Sequence, residues 1–496
     1  MNKTMLFAGA IALMAAGCTS KPGPGLSNEG RAVLVTDGYR DITPGVKIVY
    51  TANLNGEIEP CGCRGNPTGG IQRRWNLIEQ KVTGERLVID SGDVFYKSAP
   101  MPPFLEKQWN YQASALVQAY NEMGVEVITP GELDFAAGIE QFEKLRQHAR
   151  FKIVSANIYR RGSDERLLPP YVIVKKNGKN IALFGLLDET IPGMPDAIEV
   201  RDHLLAAKEM VALLRKQADV VIALAHIGLE NSQKLAREIP GIDAIFTAHT
   251  QSFLIQPEKV GDTLIFEPSF RGQHVGVFEH GENSMYQADE RFESPSDKLN
   301  PMDKLLAKTK VEVAKLNAES DAELMGADTE TDPKPKVEFQ TFTRCIECHA
   351  PQHDFHKKTA HFRAFETLLK AGQGGNLECL KCHTVGAQMP GGWSNVKKLV
   401  LNASGKAIEA ESFAKSLPQA KKESITKISK AFINVQCETC HGPGNQHPFA
   451  EAKMAKPSAE TCLQCHTPDR APKWHKNGKP DMTLIKAKIE ELTCPK

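Results

Sequence analysis

The sequence predicts a multidomain fold in which an α/β sandwich domain comes first and a smaller, mostly α domain follows. The chain has 496 residues, which is too long for a single hydrophobic core. From Val46 to about His280, short apolar runs typical of strands alternate with amphipathic stretches typical of helices. Beyond residue 340 few strand signals remain, and this last third holds nine of the 12 cysteines and nine of the 15 histidines.

The first residues predict export and a lipid anchor. Lys3 precedes an apolar or small-residue run, Thr4 to Gly17, that is too short for a transmembrane helix and typical of a secretory signal peptide. The run ends in Ala-Ala-Gly-Cys18, which resembles a bacterial lipobox. We therefore expect residues 1–17 to be removed and Cys18 to carry lipid, the alternative being an ordinary signal peptide with a cysteine nearby.

A tether is expected between this anchor and the first domain. Residues 18–45 contain the sequence Lys-Pro-Gly-Pro-Gly, a composition typical of flexible linkers. Thr19, where an Asp would retain a lipoprotein in the inner membrane, favours the outer membrane by resemblance to lipoprotein sorting. The mature protein is expected to be extracytoplasmic, in the periplasm or at the cell surface.

Eight strand-like runs and three helical stretches define the first domain, residues 46–295. The strand-like runs are Val46–Ala52, Arg86–Asp90, Val125–Thr129, Lys152–Asn157, Ile181–Leu187, Asp219–Ala225, Ala244–Ala248 and Thr263–Pro268. The helical stretches are Asn110–Met123, His203–Lys216 and Ser232–Glu238. The polar residues at the strand ends are Asn53, Asn55, Asp93, Glu132, Asp134, His226 and His249. Because ligands bind at this edge of open α/β sheets, we expect a site there.

A connecting segment, residues 296–340, separates the two large domains. Apolar residues recur at helical spacing among Lys and Glu from Pro301 to Met325, which predicts an exposed helix. The charged, proline-containing stretch Asp328–Lys336 predicts a linker. The last domain then spans residues 341–496 and includes a Lys-, Ala- and Ser-rich helical insert at about Ala407–Ala431.

The last domain contains the pattern Cys-x-x-Cys-His four times. The motifs are Cys345–Cys348–His349, Cys379–Cys382–His383, Cys437–Cys440–His441 and Cys462–Cys465–His466. Two thiols at this spacing form thioethers to the two vinyl groups of one haem, and the next residue places an imidazole at the iron. Structural zinc or disulfides do not require a histidine after every cysteine pair. The pattern therefore predicts four covalently bound haems c, with His349, His383, His441 and His466 as proximal ligands.

Five further histidines are candidates for the second axial position. In order of preference they are His361, His447, His356, His353 and His475. Four irons and five spare histidines predict mostly bis-histidine ligation, which favours low potentials and electron transfer. Met389 is a possible ligand but is more typical of a packing residue. Because few residues are present for four haems, we expect the haems to form much of the core and to lie close together.

Three segments of this domain resemble the tetrahaem cytochrome c-554 family. They are Cys437–His447, Leu377–Gly386 with Gly391-Gly392-Trp393 after it, and Thr359-Ala-His361. The family carries electrons in the periplasm, notably from hydroxylamine oxidoreductase. The resemblance covers about residues 341–475 and implies that His361 and His447 ligate haems other than those nearest in sequence. It also implies that one haem is a candidate for five-coordination.

The α/β region, about residues 46–280, resembles the calcineurin-like metallophosphatases, in particular the 5′-nucleotidase branch. The matching segments are Tyr50–Gly56, Ile89–Asp93, Thr129–Asp134, Val154–Asn157, Ala223–His226 and Thr247–Gln251. The resemblance implies a site at the strand ends where two metal ions activate water for phosphate-ester cleavage.

The chain departs from this family at several site positions. The Asp-x-His of the first motif is Asn53-Leu-Asn55 here, the catalytic histidine is Leu133, and the last motif ends in Gln251. Asn is a neutral and weaker ligand, so these changes lower metal affinity and remove an acid. An empty or non-catalytic site is expected, with one divalent ion bound by Asp93, Glu132, His226 and His249 as the alternative.

Three cysteines have no assigned role. Cys61-Gly-Cys63 follows the first strand, in the region of the metal site of the resembling family, and Cys494 lies near the end of the chain. A local disulfide in a solvent loop and a substitute metal or redox site both remain open for the first pair.

Together these patterns predict a membrane-anchored tetrahaem cytochrome that carries electrons between redox proteins, with the first domain as a non-catalytic binding module. Lys plus Arg number 61 and Asp plus Glu number 60, which excludes a general basic surface for nucleic acid. The first alternative is a multihaem oxidoreductase acting on a small nitrogen or sulfur oxyanion. The second is a surviving metal-dependent phosphoesterase.

Overall fold

The protein is described here by a computed structural model. It describes residues 31–32, 38–60, 67–102, 105–250, 252–294, 299–327, 339–371, 373, 376–386, 432–445, 447, 454–468, 470–476 and 479–495. Several predicted features lie outside these residues: the signal peptide, Cys18, Cys61, Cys63, Gln251, the Asp328–Lys336 linker, Met389 and the helical insert.

Two β-sheets form the centre of the first domain. The strands are β1 (Arg31–Ala32), β2 (Lys47–Thr51), β3 (Arg86–Asp90), β4 (Val127–Ile128), β5 (Lys152–Ile153), β6 (Ile158–Arg160), β7 (Tyr171–Lys176), β8 (Lys179–Leu187), β9 (Ile198–Val200), β10 (Val220–His226), β11 (Ala244–Thr247), β12 (Glu258–Val260), β13 (Thr263–Phe266), β14 (His274–Glu279) and β15 (Glu282–Gln287). One sheet has the order β1-β15-β14-β2-β3-β4-β5 and the other β12-β13-β11-β10-β8-β7. Strands β2 to β5 are parallel to one another, as are β8, β10, β11 and β13.

The inner faces of the two sheets pack against each other, and helices cover the outer faces. Tyr50 and Ile89 of one sheet share a buried core with Ile222, Phe246 and Phe266 of the other. The helices of this domain are α1 (Ile71–Lys81), α2 (Glu106–Met123), α3 (Ile139–His148), α4 (His203–Leu214) and α5 (Gly228–Glu238). The first three pack on the seven-stranded sheet and the last two on the six-stranded sheet. The central strand β10, Val-Val-Ile-Ala-Leu-Ala-His, is buried along its whole length, as expected for a parallel strand covered on both faces.

The predicted α/β sandwich is confirmed, and in the first domain every predicted strand run and helix overlaps an observed one. The sheet also includes residues within the segment predicted as a tether, because β1 pairs with β15. Ile42, in the same segment, is only 3% exposed.

The connecting helix α6 (Pro301–Ala327) is present, but the expectation that it is exposed is wrong. Met302, Leu306 and Val313 are buried, and the helix packs against α2 and α1. Its apolar residues therefore cover part of the first domain.

The described part of the last domain consists of short helices joined by turns. They are α7 (Thr341–Cys345), α8 (Ala350–His356), α9 (Ala364–Lys370), α10 (Leu377–His383), α11 (Cys437–His441), α12 (Ala459–Leu463) and α13 (Met482–Glu491), with a small hairpin β16 (His475–Lys476) and β17 (Lys479–Pro480). Phe365, Leu368 and Leu380 belong to the same buried cluster as α1 to α3, so the two domains share apolar contacts. Among the described helices, none is both long and apolar enough to cross a membrane.

Candidate functional site

The strand ends of both sheets meet at one edge of the first domain, as predicted. The turn after β3 carries Asp93, and the loop after β4 carries Glu132. His226 ends β10, and His249 follows β11. Glu132, His226 and His249 each offer a ligand atom, and these atoms lie within 4.8 Å of one another. The structure thus brings three of the four predicted metal-binding side chains into one cluster, and the fourth, Asp93, lies next to His226.

The cluster is tight and largely buried. His226 Nε2 lies 3.1 Å from Glu132 Oε2 and 3.4 Å from Asp93 Oδ2, and His249 Nδ1 lies 3.4 Å from Glu132 Oε1. His226 is fully buried, whereas the His249 side chain is 35% exposed. Although close, His226 Nε2 and Glu132 Oε2 are not in hydrogen-bond geometry, and neither has another hydrogen-bond partner among the described residues.

The electrostatics of the cluster follow from this proximity. Burial alone would raise the pKa of Glu132, but contacts with His226 and His249 lower it well below its usual range. Burial alone would lower the pKa of His226, but Asp93 and Glu132 raise it well above 6.5. Without an ion, the site is a buried carboxylate–imidazolium pair, and a cation can replace the proton because the ligand atoms already face one another.

Backbone contacts fix the site residues in place. His226 Nδ1 lies 2.8 Å from the Ser91 carbonyl oxygen, which leaves Nε2 facing Glu132. Gly92 has φ 100°, and a Cβ there would lie 2.6 Å from the Gly131 nitrogen and 2.9 Å from His226 Nδ1. A glycine is therefore required where the β3 turn passes beneath the imidazole.

Asp134, one of the predicted strand-end residues, has a structural role. Its carboxylate accepts four backbone N–H bonds, from Asp93, Val94, Phe95 and Gly131, at 2.8 to 3.0 Å. Burial, together with the neighbouring Asp93 charge, raises the pKa of Asp134 to about 7. Because both oxygens are used by the backbone, Asp134 holds the β3 and β4 loops together.

The other departures from the resembling family lie at the same edge. The Leu133 backbone N–H donates to Asp93 Oδ1 at 2.9 Å, so this residue lies beside the cluster without offering an acid or base. Asn53 accepts from the His249 backbone N–H at 3.1 Å and donates to the Thr250 carbonyl at 3.3 Å. Asn55 is buried, and its Oδ1 has no hydrogen-bond partner in the described part of the chain. Two neutral amides therefore stand where the resembling family has an Asp and a His.

The four Cys-x-x-Cys-His motifs lie on or beside α7, α10, α11 and α12. Close contacts link their thiols: Cys345 is in hydrogen-bond contact with Cys437, Cys382 is in hydrogen-bond contact with Cys465, and Cys440 lies near Cys462 and Cys465. The first motif is thus adjacent to the third, the second to the fourth, and the third to the fourth. All nine cysteines in the described part of this domain, Cys494 included, are free of disulfides.

Two pairs of histidine rings lie at similar separations. The ring centres of proximal His349 and candidate His447 are 6.4 Å apart, and those of proximal His466 and candidate His361 are 6.1 Å apart. Metal–nitrogen bonds of about 2 Å on both sides of one iron, plus the distance from each ring centre to its nitrogen, add to roughly 6 Å. Both separations match this value.

The remaining histidines have different surroundings. His383 Nδ1 lies 2.6 Å from the Ala364 carbonyl oxygen, and His441 Nδ1 lies 2.8 Å from the Ala455 carbonyl oxygen. Such contacts orient an imidazole so that its other nitrogen is available to a metal. His356 Nε2 and His475 Nδ1 also contact backbone oxygens, of Val435 and Ala471, whereas His353 Nε2 has no partner among the described residues.

A small apolar cavity lies beside one candidate ligand, His356. It has a volume of about 220 Å³ and is lined by Phe342, His356, Phe362, Ile433, Asn434 and Gln436. Burial and nearby histidines lower the pKa of His361 to about 4, and burial also lowers the pKa of His383 and His466. These imidazoles are therefore neutral at pH 7, the form that binds iron.

A buried ionic network joins the two domains, and sequence reasoning missed it. Lys97 Nζ lies 3.3 Å from Glu57 and 3.0 Å from Glu378, the residue immediately before Cys379. Glu57 also pairs with Arg271 at 2.7 Å, and Glu378 with Arg470 at 3.4 Å. In the sequence, the signal for this network is the charged residue Glu378 directly beside a motif cysteine. No sequence pattern indicated which residues would pair with it.

The network lies close to the strand-edge site. Glu57 follows Asn55 by two residues, and Lys97 follows Asp93 by four. A Cβ on Gly56 would lie 3.1 Å from Lys97 Cγ, so the loops after β2 and β3 are in contact here. A hydrogen bond of 3.1 Å from Gln108 to Asn376 adds to the contact with the second motif. The same two loops thus carry Asp93 of the site and the residues that contact the second motif.

Comparison with known proteins finds relatives of both parts. Residues 344–405 match the family described as cytochrome c554 and c-prime. The uncharacterized metallophosphoesterase YunD of Bacillus subtilis (strain 168) is 32% identical over 146 residues, which are 28% of this chain and 31% of the relative. A 5′-nucleotidase of Vibrio parahaemolyticus is 25% identical over 335 residues, 58% of this chain and 55% of the relative. A solved structure, the sulfate thiohydrolase SoxB of Thermus thermophilus, has a TM-score of 0.47 and 19% identity, covering 54% of this chain and 60% of that chain.

These findings confirm both resemblances. Residues 344–405 of the C-terminal region match a cytochrome c family, and the first domain has the calcineurin-like phosphoesterase fold. The chain spans about a third to about half of the length of the two curated relatives.

Proposed function

We propose that this protein is an extracytoplasmic, lipid-anchored tetrahaem cytochrome c that carries electrons between redox proteins. The observation that carries the proposal is the set of four Cys-x-x-Cys-His motifs, two of whose histidines lie close to a second imidazole, with ring centres 6.4 and 6.1 Å apart. Haem supplies one-electron chemistry when bound. The match to a cytochrome family supports this function.

We assign the axial ligands from the ring pairs. His349 and His447 bind the first haem iron, and His361 and His466 bind the fourth. Each pair joins histidines far apart in sequence, so ligation also ties distant segments of the domain together. His383 and His441 are the proximal ligands of the other two haems, with His353, His356 and His475 as candidates for the opposite side.

The motif cysteines would hold the haems close to one another. Support comes from the contacts Cys345–Cys437 and Cys382–Cys465, and from Cys440, which lies near Cys462 and Cys465. Attachment points this close suit electron transfer along a chain. The second motif, held against the first domain by Glu378 and Asn376, marks the end of this chain nearest the strand-edge site.

The first domain serves as a binding module with at most weak hydrolytic activity. Its relatives include 5′-nucleotidases, but Asn53, Asn55 and Leu133 replace two ligands and the catalytic histidine of the resembling family. One metal ion bound by Glu132, His226 and His249 fits the donor atoms present, with Asp93 next to His226 as a fourth candidate. If a phosphate ester is turned over at the rate of a dedicated phosphatase when Mn²⁺ is added, this part of the proposal fails.

Haem number and ligation test the cytochrome proposal. The full-length protein, produced in cells that attach haem c, is expected to have the mass of the mature polypeptide plus four haems. Its absorption and EPR spectra are expected to show low-spin haems. A high-spin haem that binds nitrite or sulfite instead supports the alternative of a multihaem oxidoreductase, and a protein without covalent haem contradicts both.

Membrane attachment is tested separately. We expect the wild-type protein to fractionate with membranes and to enter the detergent phase, and Cys18→Ser to be released in soluble form. Equal release of both proteins contradicts the lipid anchor without affecting the haem assignment.

A further inference from the structure

A positive charge from the first domain lies buried beside the attachment point of the second haem. We propose that Lys97 raises the reduction potential of this haem, so that the first domain tunes electron transfer in the last domain. The inference rests on the proposed function, because it requires haem at the motif Cys379–Cys382–His383. It goes further by giving the first domain a defined effect on one haem and by naming the residue responsible.

Lys97 reaches the second motif through one short contact. Its Nζ atom lies 3.0 Å from a carboxylate oxygen of Glu378. The next residue, Cys379, is one of the two thioether cysteines of the motif. Both charged side chains are largely buried, and a buried charge is only weakly screened by water and salt. The Lys97 charge therefore acts at the point where the haem is attached.

The two residues that hold the haem respond to this network of charges. Burial raises the pKa of the Cys379 thiol to about 12, and the Glu378 charge adds to this rise. The cations Arg470 and Lys97 oppose it. Burial also lowers the pKa of the proximal ligand His383, and the Arg470 charge lowers it further. The charged side chains are thus within electrostatic range of the thioether sulfur and of the imidazole.

The sign of the effect follows from the charge of the electron. Reduction adds one negative charge to the haem, which a nearby cation stabilises and a nearby carboxylate destabilises. This interaction is strong in a buried environment, where burial and local polarity help to set haem potentials. Lys97 is therefore expected to raise the potential of the second haem and Glu378 to lower it, although the two residues form a single contact.

The rest of the network keeps Lys97 charged and in place. Burial alone would lower the pKa of Lys97, but Glu378 and Glu57 raise it above its usual value. Glu57 lies 3.3 Å from Lys97 Nζ and also pairs with Arg271 at 2.7 Å. Lys97 therefore remains protonated at pH 7 and acts on the haem as a permanent cation.

Redox titration of the full-length holoprotein measures the effect, with optical and EPR spectra used to resolve four one-electron components. Lys97→Met is expected to shift one component to lower potential by about 59 mV, a roughly tenfold change in its reduction equilibrium. Glu378→Gln is expected to shift the same component to higher potential. Lys97→Arg keeps the charge and is expected to retain the wild-type potentials.

Two further variants make the result specific. Lys47→Met is the matched control, because Lys47 forms an ion pair with Glu279 at 3.1 Å but lies at the start of β2, at the opposite end from the loop that contacts the haem domain. It is expected to leave all four potentials unchanged. His383→Met changes the proximal ligand of the second haem and so identifies its component in the titration.

Three results would overturn the inference. Shifts in the same direction for Lys97→Met and Glu378→Gln would show that packing, not charge, sets the potential. Four haems with unchanged potentials in both variants would show that the charges do not act on any haem. If Lys97→Met does not retain four haems, the lack of an upward shift in Glu378→Gln is sufficient to contradict the inference.

Failure of the inference is distinguishable from failure of the proposed function. In each of the three cases the wild-type protein still holds four haems that titrate, so the cytochrome function stands. Fewer than four haems in the wild-type protein would instead contradict the proposed function itself.

Discussion

Removing the Lys97–Glu378 contact is expected to uncouple the two domains measurably. The side chains of Lys97 and Glu378 are only 13% and 14% exposed, and their charged atoms are 3.0 Å apart. At an effective dielectric constant near 20, such a pair attracts with about 4 kcal/mol or more, and desolvation offsets part of this energy. We expect a net coupling energy of about 2 kcal/mol.

The double-mutant cycle combines Lys97→Met with Glu378→Gln. Lys97→Met alone is expected to cost about 2 to 3 kcal/mol, below the usual range for a broken buried pair. The reason is that each carboxylate retains another cationic partner: Glu57 still pairs with Arg271 at 2.7 Å, and Glu378 still pairs with Arg470 at 3.4 Å. Glu378→Gln alone is expected to cost about 1 to 2 kcal/mol, since Lys97 still contacts Glu57.

Urea unfolding of the holoprotein measures the cycle, with far-UV circular dichroism for both domains and the Soret band for the haem domain. Asp164→Asn is the control, because this carboxylate pairs with Arg201 but is 97% exposed, and a change within about 0.5 kcal/mol is expected. If the coupling energy is within about 0.5 kcal/mol of zero, the interdomain contact does not form in solution and the reasoning is refuted.

Three further predictions concern pH, ligation and catalysis. Burial raises the pKa of Glu57, but Lys97, Arg271 and Arg470 outweigh this effect and lower it below 4.5; the stability that this carboxylate contributes is therefore complete above pH 4.5 and is lost as the pH falls below that value. Melting temperatures measured from pH 6 to 3 should fall in the wild-type protein and fall less in Glu57→Gln. An equal fall in both proteins would count against the network. His447→Ala is expected to convert one haem from low-spin to high-spin in EPR, whereas His148→Ala, at an exposed position of α3, changes nothing. An unchanged spectrum for His447→Ala would remove His447 from the ligand set. Leu133→His alone, which restores an acid, is expected to leave phosphate-ester hydrolysis within about tenfold of background, because one divalent ion is still missing. A gain of several hundred-fold in a steady-state assay would show that the site needs only the histidine.

The sequence predicted the parts of the fold whose patterns are local. Strands β8 and β10 are continuous apolar runs, as buried parallel strands require, and both were predicted. Strand β15, Glu-Asn-Ser-Met-Tyr-Gln, and helix α1, Ile-Gln-Arg-Arg-Trp-Asn-Leu-Ile-Glu-Gln-Lys, were not, because polar residues dominate both. Their burial depends on partners distant in sequence, which no local period reveals.

The candidate sites divide in the same way. Because the carboxyl ends of parallel strands lie at one edge of a sheet, the positions of His226, His249 and Glu132 after strands predicted that they lie close together. His349 and His447 lie close together in the structure, but their separation along the sequence gave no reason to expect this. The role of Lys97 could not be predicted, because a single lysine after a strand is common. Its two carboxylate partners come near it only when the two domains pack together.

Spectroelectrochemical titration of the full-length holoprotein tests the central claim most directly. The account predicts four one-electron equivalents in the haem bands, low-spin spectra in both redox states, and potentials in the low range expected for bis-histidine ligation. Fewer than four titrating haems, or haem bands that do not respond to the applied potential, would contradict an electron-carrying tetrahaem cytochrome.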